Sequence, residues 1–413
     1  MGMIERYARQ LVREAAADSR VVMIVGPRQA GKTTLVRGLA AGELPMSYVT
    51  LDEAGARRAA TEDPVGFVAG LDRPVAIDEV QRAPEILLEI KRIVDGDPRP
   101  GQFVLTGSAR VLSLPRVADA LVGRVETVTL WPLSEAEVAG SGRDLVDALF
   151  AGSPPEISRA PAGSEAWLER ALAGGLPEAR ERPEGRRRDA WFASYLETLV
   201  ERDVRDLADI RALDEVPALL TMVAARSTGP LNIASLASEM RISEASVRRY
   251  LALLDAVFVL LRVPSWRRNL GRRATAAPKY QLVDSGLAAH MLNLDRRRLA
   301  VDEALAGGLF ETFVRMELVK HAAWSEARPT TFHFRTRGGG REVDAVLERR
   351  GGQLVGVEIK TSATPSRRDF RGLEELRDGR GDDFVAGILI HTGERTLPFG
   401  DRLWALPVSA LWS

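Results

Sequence analysis

Gly26-Pro27-Arg28-Gln29-Ala30-Gly31-Lys32-Thr33 lies between the apolar run "VVMIV" (21–25) and the helix-like "TLVRGLA". Glycines at both ends let the backbone curl so that its N–H groups face phosphate oxygens, and a helix starting here adds its positive end. In this strand–loop–helix context the spacing predicts a phosphate loop. Gly26, Pro27, Arg28, Gln29, Ala30, Gly31, Lys32, Thr33 and Thr34 would hold ATP, with Lys32 reaching the β- and γ-phosphates and the Thr33 hydroxyl taking Mg²⁺. Downstream, "RPVAIDEVQ" reads as an apolar strand ending in Asp78-Glu79. Asp78 is expected to hold Mg²⁺ through water, and Glu79 to polarise the attacking water. "QFVLTGSA" places Thr106 and Ser108 where a γ-phosphate would lie.

A second set centres on "VGVEIKTS" (355–362), where Glu358 and Lys360 share one face of an apolar strand. The preceding strand, in "REVDAVLE", carries Asp344, and Gly351-Gly352 reads as the turn between them. A three-residue loop centred on Gly351 sets Asp344 opposite Glu358, two carboxylates about 5 Å apart. Such a pair is repulsive unless a divalent cation lies between, and oxygen ligands suit Mg²⁺ or, in its place, Mn²⁺. A two-residue loop would instead set Asp344 opposite Ile359 and dissolve the pair. Upstream, Glu311 sits at the edge of an apolar helix face shared with Val314 and Leu318.

The elements that must position these groups follow from periodicity and turn residues. "SYVTLDE" (47–53) and "VETVTLW" (125–131) bring the strands around the phosphate loop to about five, an α/β pattern. "AGSPPEISRAPAGS" (151–164) reads as a linker, and residues 165–225 as helices broken by "AGGLPE" and "ERPEGRRR". Ile233, Leu236, Ala237 and Met240 form one helical stripe, "RIS" is a turn with Ser243 as N-cap, and Val247, Leu251 and Leu254 mark a second helix. This is a helix-turn-helix, with "FVLLRV" and "PKYQLV" able to form a wing. Arg248 and Arg249 on the second helix, and Arg267, Arg268, Arg272 and Arg273 in the wing, are candidates for phosphate contact with DNA; a packing role for the module stays open.

Composition bounds the rest. Formal net charge is zero over 413 residues, but Arg241 to Ala300 holds twelve basic against four acidic residues, which suggests a localised anionic partner. The absence of cysteine removes disulfides, thiolate zinc sites and cysteine nucleophiles, and fits a cytoplasmic protein. No apolar run is long enough for a membrane span, and the charged first twenty residues do not read as a signal peptide. The only lysines are Lys32, Lys91, Lys279, Lys320 and Lys360, and two of them fall in the chemical motifs.

The stretches "SRVVMIVGPRQAGKTTL", "AIDEVQRAPEILLEIKRIVD", "FVLTGSARVL" and "LVGRVETVTLWPLSEAE" resemble a family of prokaryotic AAA+-type ATPases. Its members carry a C-terminal domain of unknown function that resembles a PD-(D/E)xK nuclease fold. The resemblance continues through "GGLPE", "YLETLVERDV", "PKYQLVDSGLAAHML" and "LFETFVRMEL", nearly the whole chain. It implies a P-loop ATPase core of the AAA+/ASCE type (1–164), a helical lid (165–225), a winged helix-turn-helix (226–300) and a C-terminal α/β restriction-endonuclease-like domain (301–413). It makes Arg124 a candidate arginine finger acting in a homo-oligomer, beside the alternative of an ordinary ion pair at a strand start. Asp344, Glu358, Lys360 and Glu311 resemble the nuclease constellation: Asp344 and Glu358 to hold the metal, Lys360 to orient or deprotonate water, Glu311 in support. No proline precedes Asp344 at the motif position; Glu342-Val343 stands there. The expected function is ATP binding and hydrolysis coupled to DNA engagement by a metal-dependent nuclease-like domain. The alternative is an ATP-switched regulator or scaffold that binds without cleaving.

Overall fold

A computed structural model describes residues 4–109, 121–142, 144–158, 166–204, 215–336 and 340–413. The chain divides into two compact units. One comprises the described residues up to Pro132 with Ala256–Phe258, and the other Leu133–Asp255 with Val259–Ser413. The segments read above as lid, winged helix and C-terminal domain therefore share the second unit, apart from Ala256–Phe258. Residues 159–164 of the expected linker, 205–214 of the helical stretch and 337–339 of the turn after "TTFHFR" lie outside the described residues.

The first unit is built on β1 (Val21–Val25), β2 (Ser47–Thr50), β3 (Val75–Asp78), β4 (Phe103–Gly107) and β5 (Val125–Thr129), all parallel in the order β2-β3-β4-β1-β5. Every residue of β1 is buried. A central parallel strand is covered on both faces, so it reads as an unbroken aliphatic run and not as alternation. On one face, α1 (Ala8–Asp18) contributes Val12 and Ala15, and α2 (Lys32–Ala40) contributes Leu35, Val36 and Leu39. Both pack on Val22, Ile24, Ala76 and Val104. Helix α3 (Ile86–Gly96) buries Ile86, Leu87, Ile90 and Val94. Parallel order gathers the carboxyl ends of β1, β3 and β4 at one edge, where open α/β sheets bind ligands.

In the second unit, α4 (Ile233–Met240) and α5 (Glu244–Ala256) form the expected helix pair. The Asn232 side chain accepts the Ser235 N–H at 3.1 Å, and Ser243 Oγ accepts the Ser246 N–H at 3.0 Å. Arg241 makes the turn in the left-handed region, φ +58°. Strands β6 (Leu260–Val263) and β7 (Lys279–Leu282) pair antiparallel, with a short helix, Leu270–Thr275, between them. Helix α6 (Ser285–Met291) starts at Asp284, whose carboxylate accepts the N–H of Leu287 at 2.8 Å and of Gly175 at 2.6 Å. A Cβ at Gly174, φ +68°, would lie 2.3 Å from that carboxylate, so only glycine fits. The motifs "GGLPE" and "LVDSG" are thus two halves of one clamp.

Helix α7 (Glu303–Trp324) is buried nearly all round. Beyond it lies a sheet of β8 (Thr330–Arg335), β9 (Glu342–Glu348), β10 (Leu354–Lys360), β11 (Phe384–His391), β12 (Leu397–Gly400) and β13 (Leu403–Pro407). The order is β12-β13-β11-β10-β9-β8, with β8, β9 and β10 antiparallel and β10, β11 and β13 parallel. Phe310, Phe313, Val314 and Leu318 of α7 pack on Leu347, Val355, Val357 and Ile388, while Leu373 and Leu376 of α8 (Arg371–Arg380) pack on Val346, Leu354 and Phe384. The β6–β7 ribbon extends this sheet: Trp266 N–H donates to His333 O at 2.6 Å, and His333 N–H to Pro264 O at 3.0 Å. Among the described residues no helix is long and apolar enough to cross a membrane.

Candidate nucleotide and carboxylate sites

At the carboxyl edge of the first sheet, Gln29 (φ +65°) and Gly31 (φ +96°) put the loop into a curl ahead of α2. A Cβ at Gly26 would meet Leu130 O at 2.1 Å, so the loop's first glycine is required by close backbone packing. Lys32, 4% exposed, donates to the carbonyls of Gly26 at 2.9 Å and Pro27 at 2.8 Å. The Thr33 hydroxyl donates to Asp78 Oδ2 at 2.8 Å, as does Tyr48 OH at 3.0 Å, and Thr106 donates to Asp78 Oδ1. Burial first and the Asp78 charge second push the Tyr48 phenol up from its usual value. Glu79 stands in the left-handed region, φ +60°, with its N–H on Thr106 Oγ1 at 3.0 Å. Its carboxylate accepts from Gln81, and Gln81 also donates to Ser108 Oγ at 2.8 Å.

Three side chains here were not singled out from sequence. Tyr48 and Gln81 hold the two carboxylates, and Arg6 donates to Ala30 O and Trp131 O, each at 2.6 Å, tying the loop to the chain after β5. Gln81, two residues beyond Glu79, was legible as a polar neighbour; Arg6 carries no local signal. Arg124 stands just before β5 in a two-point ion pair with Asp95 of α3, its Nη2 2.9 Å from Oδ2, and this pair draws the Asp95 carboxyl below its usual range. Within this chain Arg124 is an ion-pair partner.

In the second unit, the β9–β10 ladder runs Leu354↔Glu348, Val355↔Leu347, Gly356↔Val346 and Val357↔Ala345. Arg349 N–H donates to Gln353 O at 3.0 Å, closing a three-residue loop centred on Gly351. The next opposed positions in that register are Asp344 and Glu358, the first of the two pairings expected. Past the last pair, the Ile359 N–H donates to Asp344 Oδ2 at 2.9 Å, so a side-chain carboxylate takes over from the ladder carbonyls. Glu358 is 8% exposed; its Oε1 meets Lys360 Nζ at 2.8 Å, and its Oε2 is buried with no hydrogen-bond partner. Burial first, and the Asp344 charge second, push the Glu358 carboxyl up to about 8 against the pull of Lys360.

Glu311 departs from expectation. Its carboxylate pairs with Arg315, one helical turn on, and lies 3.5 Å from Lys279 Nζ. Lys279, at the start of β7, also meets Glu342 Oε1 at 2.5 Å and donates to Thr228 O at 2.6 Å. Lys279 and Arg315 are both fully buried, and such cations require adjacent carboxylates. Neither was singled out from sequence; their signal was weak, a lysine in an arginine-rich chain and a basic residue inside an apolar helix. Among the described residues no group of three or more histidine or acidic side chains is arranged to hold a metal ion.

The arginines proposed for DNA divide. Arg248 and Arg249 are exposed, Arg248 in an i,i+4 pair with Glu244 at 3.1 Å, and Arg272 is exposed. Arg273 is corrected: its guanidinium holds Glu348 at 2.5 and 3.2 Å and lies over the rings of Trp266 and Phe332. Arg267 likewise donates to Arg335 O. A planar guanidinium stacks and pairs at once, so these wing arginines fasten the ribbon to the sheet.

Against known proteins, residues 18–139 match the model of an AAA domain, residues 164–298 a domain of unknown function (DUF8612), and residues 306–411 another (DUF4143). Uncharacterized proteins Rv2008c of Mycobacterium tuberculosis and Mb2031c of Mycobacterium bovis are each 29% identical over 411 residues, covering 99% of this chain and 85% of theirs. Among solved structures, a Walker-type ATPase of Pyrococcus abyssi superposes with a TM-score of 0.43 at 16% identity, over 70% of this chain and 96% of that one. The AAA match, the five-stranded parallel sheet and the phosphate loop agree: the N-terminal part of this chain is a P-loop ATPase core of the AAA type.

Proposed function

We propose that this protein binds and hydrolyses ATP and uses nucleotide state to control a DNA-engaging, divalent-cation-binding second unit. The observation that carries the ATPase reading is the contact of Thr33 with Asp78 at 2.8 Å, beside Glu79 and at the mouth of the glycine curl. The two residues fit a Mg²⁺ ion, which supplies counter-charge to the β- and γ-phosphates when bound. The chain's own groups do the rest. The curled N–H groups and Lys32 hold the polyphosphate, Asp78 is held in place by Tyr48 and Thr106, and Glu79 is placed to take a proton from water. For the last step Glu79 must leave Gln81. Arg124, released from Asp95, is the group offered to a neighbouring subunit of a homo-oligomer.

In the second unit the orphaned Glu358 Oε2, opposite Asp344 and beside Lys360, fits one divalent cation, Mg²⁺ or Mn²⁺. When bound, such an ion lowers the pKa of a water and polarises a phosphodiester. Lys360 would orient that water, and exposed Arg248, Arg249 and Arg272 would contact DNA phosphates. The reading that binding occurs without cleavage is favoured by one observation, the two buried cations already spent on Glu311 and Glu342.

The test is phosphate release from ATP together with Mn²⁺-dependent cleavage of single-stranded, duplex and branched DNA, for the wild type, Lys32→Ala and Asp344→Ala. Cleavage lost in Asp344→Ala supports the nuclease. Intact ATPase activity with no cleavage in any lane supports the scaffold. No ATP turnover by the wild type, alone or with DNA, overturns the ATPase reading.

A further inference from the structure

Four carboxylates lie where β9 starts and β10 ends, yet they do not form one pool. Glu311 Oε1 lies against Arg315 and 3.5 Å from Lys279, and Glu342 Oε1 lies 2.5 Å from the same lysine as an ion pair without hydrogen-bond alignment. Lys279 is fully buried, and its third contact, Thr228 O at 2.6 Å, aims the ammonium at the two glutamates. Arg315 is held by Gln281 Oε1 at 2.7 Å, from the same strand as Lys279. Strand β7, which carries Lys279 and Gln281, belongs to a ribbon hydrogen-bonded onto the sheet through residues 264–266 and His333. The ammonium is therefore delivered by the fold and is not a surface side chain that happens to reach inward. Asp344 and Glu358 form the other half, where Lys360 leaves Glu358 Oε2 unpartnered.

We infer that Lys279 is a resident counter-cation that closes the Glu311–Glu342 half of the site, so that Glu311 is no metal ligand and Asp344 and Glu358 alone receive a single divalent ion. The physical argument is substitution of charge. A carboxylate already neutralised by an adjacent buried ammonium gains little from a metal ion, and the fixed positive charge repels one placed close by. Lys279 thereby sets both the number of ions and the strength with which they bind. The inference rests on the reading of Asp344 and Glu358 as a cation site.

The test measures Mn²⁺ binding, by calorimetry and by the loss of the free-ion paramagnetic resonance signal. It uses the full chain without nucleotide in a Thr33→Ala background, which removes a metal-binding hydroxyl of the ATP site. One ion per chain is expected, abolished by Asp344→Asn. Glu311→Gln should shift its affinity by less than about threefold, whereas loss of even an outer-shell partner of a bound metal typically costs about ten- to a hundredfold. Lys279→Met should bind Mn²⁺ at least about tenfold more tightly or take up a second ion, and adding Glu342→Gln to it should reverse the gain. Two ions per chain in the parent, a tenfold loss in Glu311→Gln, or an unchanged affinity in folded Lys279→Met would overturn the inference while leaving the Asp344 site standing. No Mn²⁺ binding by any variant overturns that site itself, and the inference with it. Should Lys279→Met not fold, the Glu311→Gln result decides alone.

Discussion

If Glu79 and Lys32 divide the labour of the nucleotide site as proposed, their variants should fail differently. Lys32→Ala removes the ammonium expected on the β- and γ-phosphates, so ATP binding itself should fall at least about tenfold in equilibrium titration. Glu79→Gln keeps the size of the side chain and one acceptor oxygen for Gln81 but not its basicity. It should hold ATP within about threefold of the wild type while kcat drops roughly 10²-fold or more, the usual contribution of a general base. Equal losses in binding for both variants would contradict this division. The carboxylate half-site was less legible than the loop, for a physical reason. A phosphate loop is written in consecutive residues, so its spacing is its geometry. Asp344, Glu358 and Lys360 also announced themselves, because a strand places every second residue on one face. Lys279 comes from a strand remote in sequence, and only tertiary packing brings it to Glu342. Glu311 does stand at the expected edge of its helix, but Arg315 one turn on neutralises it, and helical spacing alone does not say which of two neighbours a carboxylate serves.

Among the elements, the strands of the ATPase core and the helix pair α4–α5 were readable because each writes its own period and caps. The ribbon of β6 and β7 was readable as strands, with DNA contact and packing both open, since basic residues in a loop look alike whether they face phosphate or a glutamate. This yields a paired prediction. Replacing Arg248 and Arg249 with alanine should weaken duplex DNA binding and lower the slope of log K against log salt by about 0.9 for each phosphate no longer neutralised, with stability nearly unchanged. Replacing Arg273 should do the opposite, leaving the slope alone while reducing unfolding free energy by about 2–4 kcal/mol, because Glu348, left with only the Trp266 indole N–H, loses its counter-charge at a position largely out of water. Salt slopes from binding isotherms and denaturant midpoints separate the two. The clamp of Asp284 on Gly174, Gly175 and α6 was visible only as two motifs without a relation. Asp284→Ala strands the buried N–H groups of Gly175 and Leu287 and should cost about 2–4 kcal/mol in denaturant unfolding.

For the whole molecule, two compact units with separate cores predict that heating produces two transitions with different ligand and acid responses. ATP binds the unit that holds the phosphate loop, and at a hundred times its dissociation constant it adds about 2.7 kcal/mol to that unit's stability. The other unit contains His321 and His333, whose imidazoles are held down to about 4. Burial is the main cause in both. His321 also faces Leu411 O, Glu137 and Lys320, and His333 faces Lys279, Ala277 O, Arg315 and Glu342. Because the folded-state values lie below the ordinary 6.5, the stability these residues contribute is present above pH 6.5 and is lost as pH falls through about 4. The loss is on the order of 3 kcal/mol for each at about 1.4 kcal/mol per pKa unit. Calorimetry with ATP should therefore raise one transition, while between pH 6.5 and 4 the histidines lower the other and Glu358 and Asp144, pushed up to about 8 and about 7 by burial, oppose that loss, so the histidine part is read as the difference between wild type and His321→Gln. His321→Gln should reduce the acid slope of that second transition by close to one proton. The opposite pairing, with ATP raising the acid-sensitive transition alone, would place the nucleotide outside the first unit. A single transition moved equally by ATP and by acid would mean that the two cores unfold as one cooperative body, and bound nucleotide would then stabilise the carboxylate site together with its own.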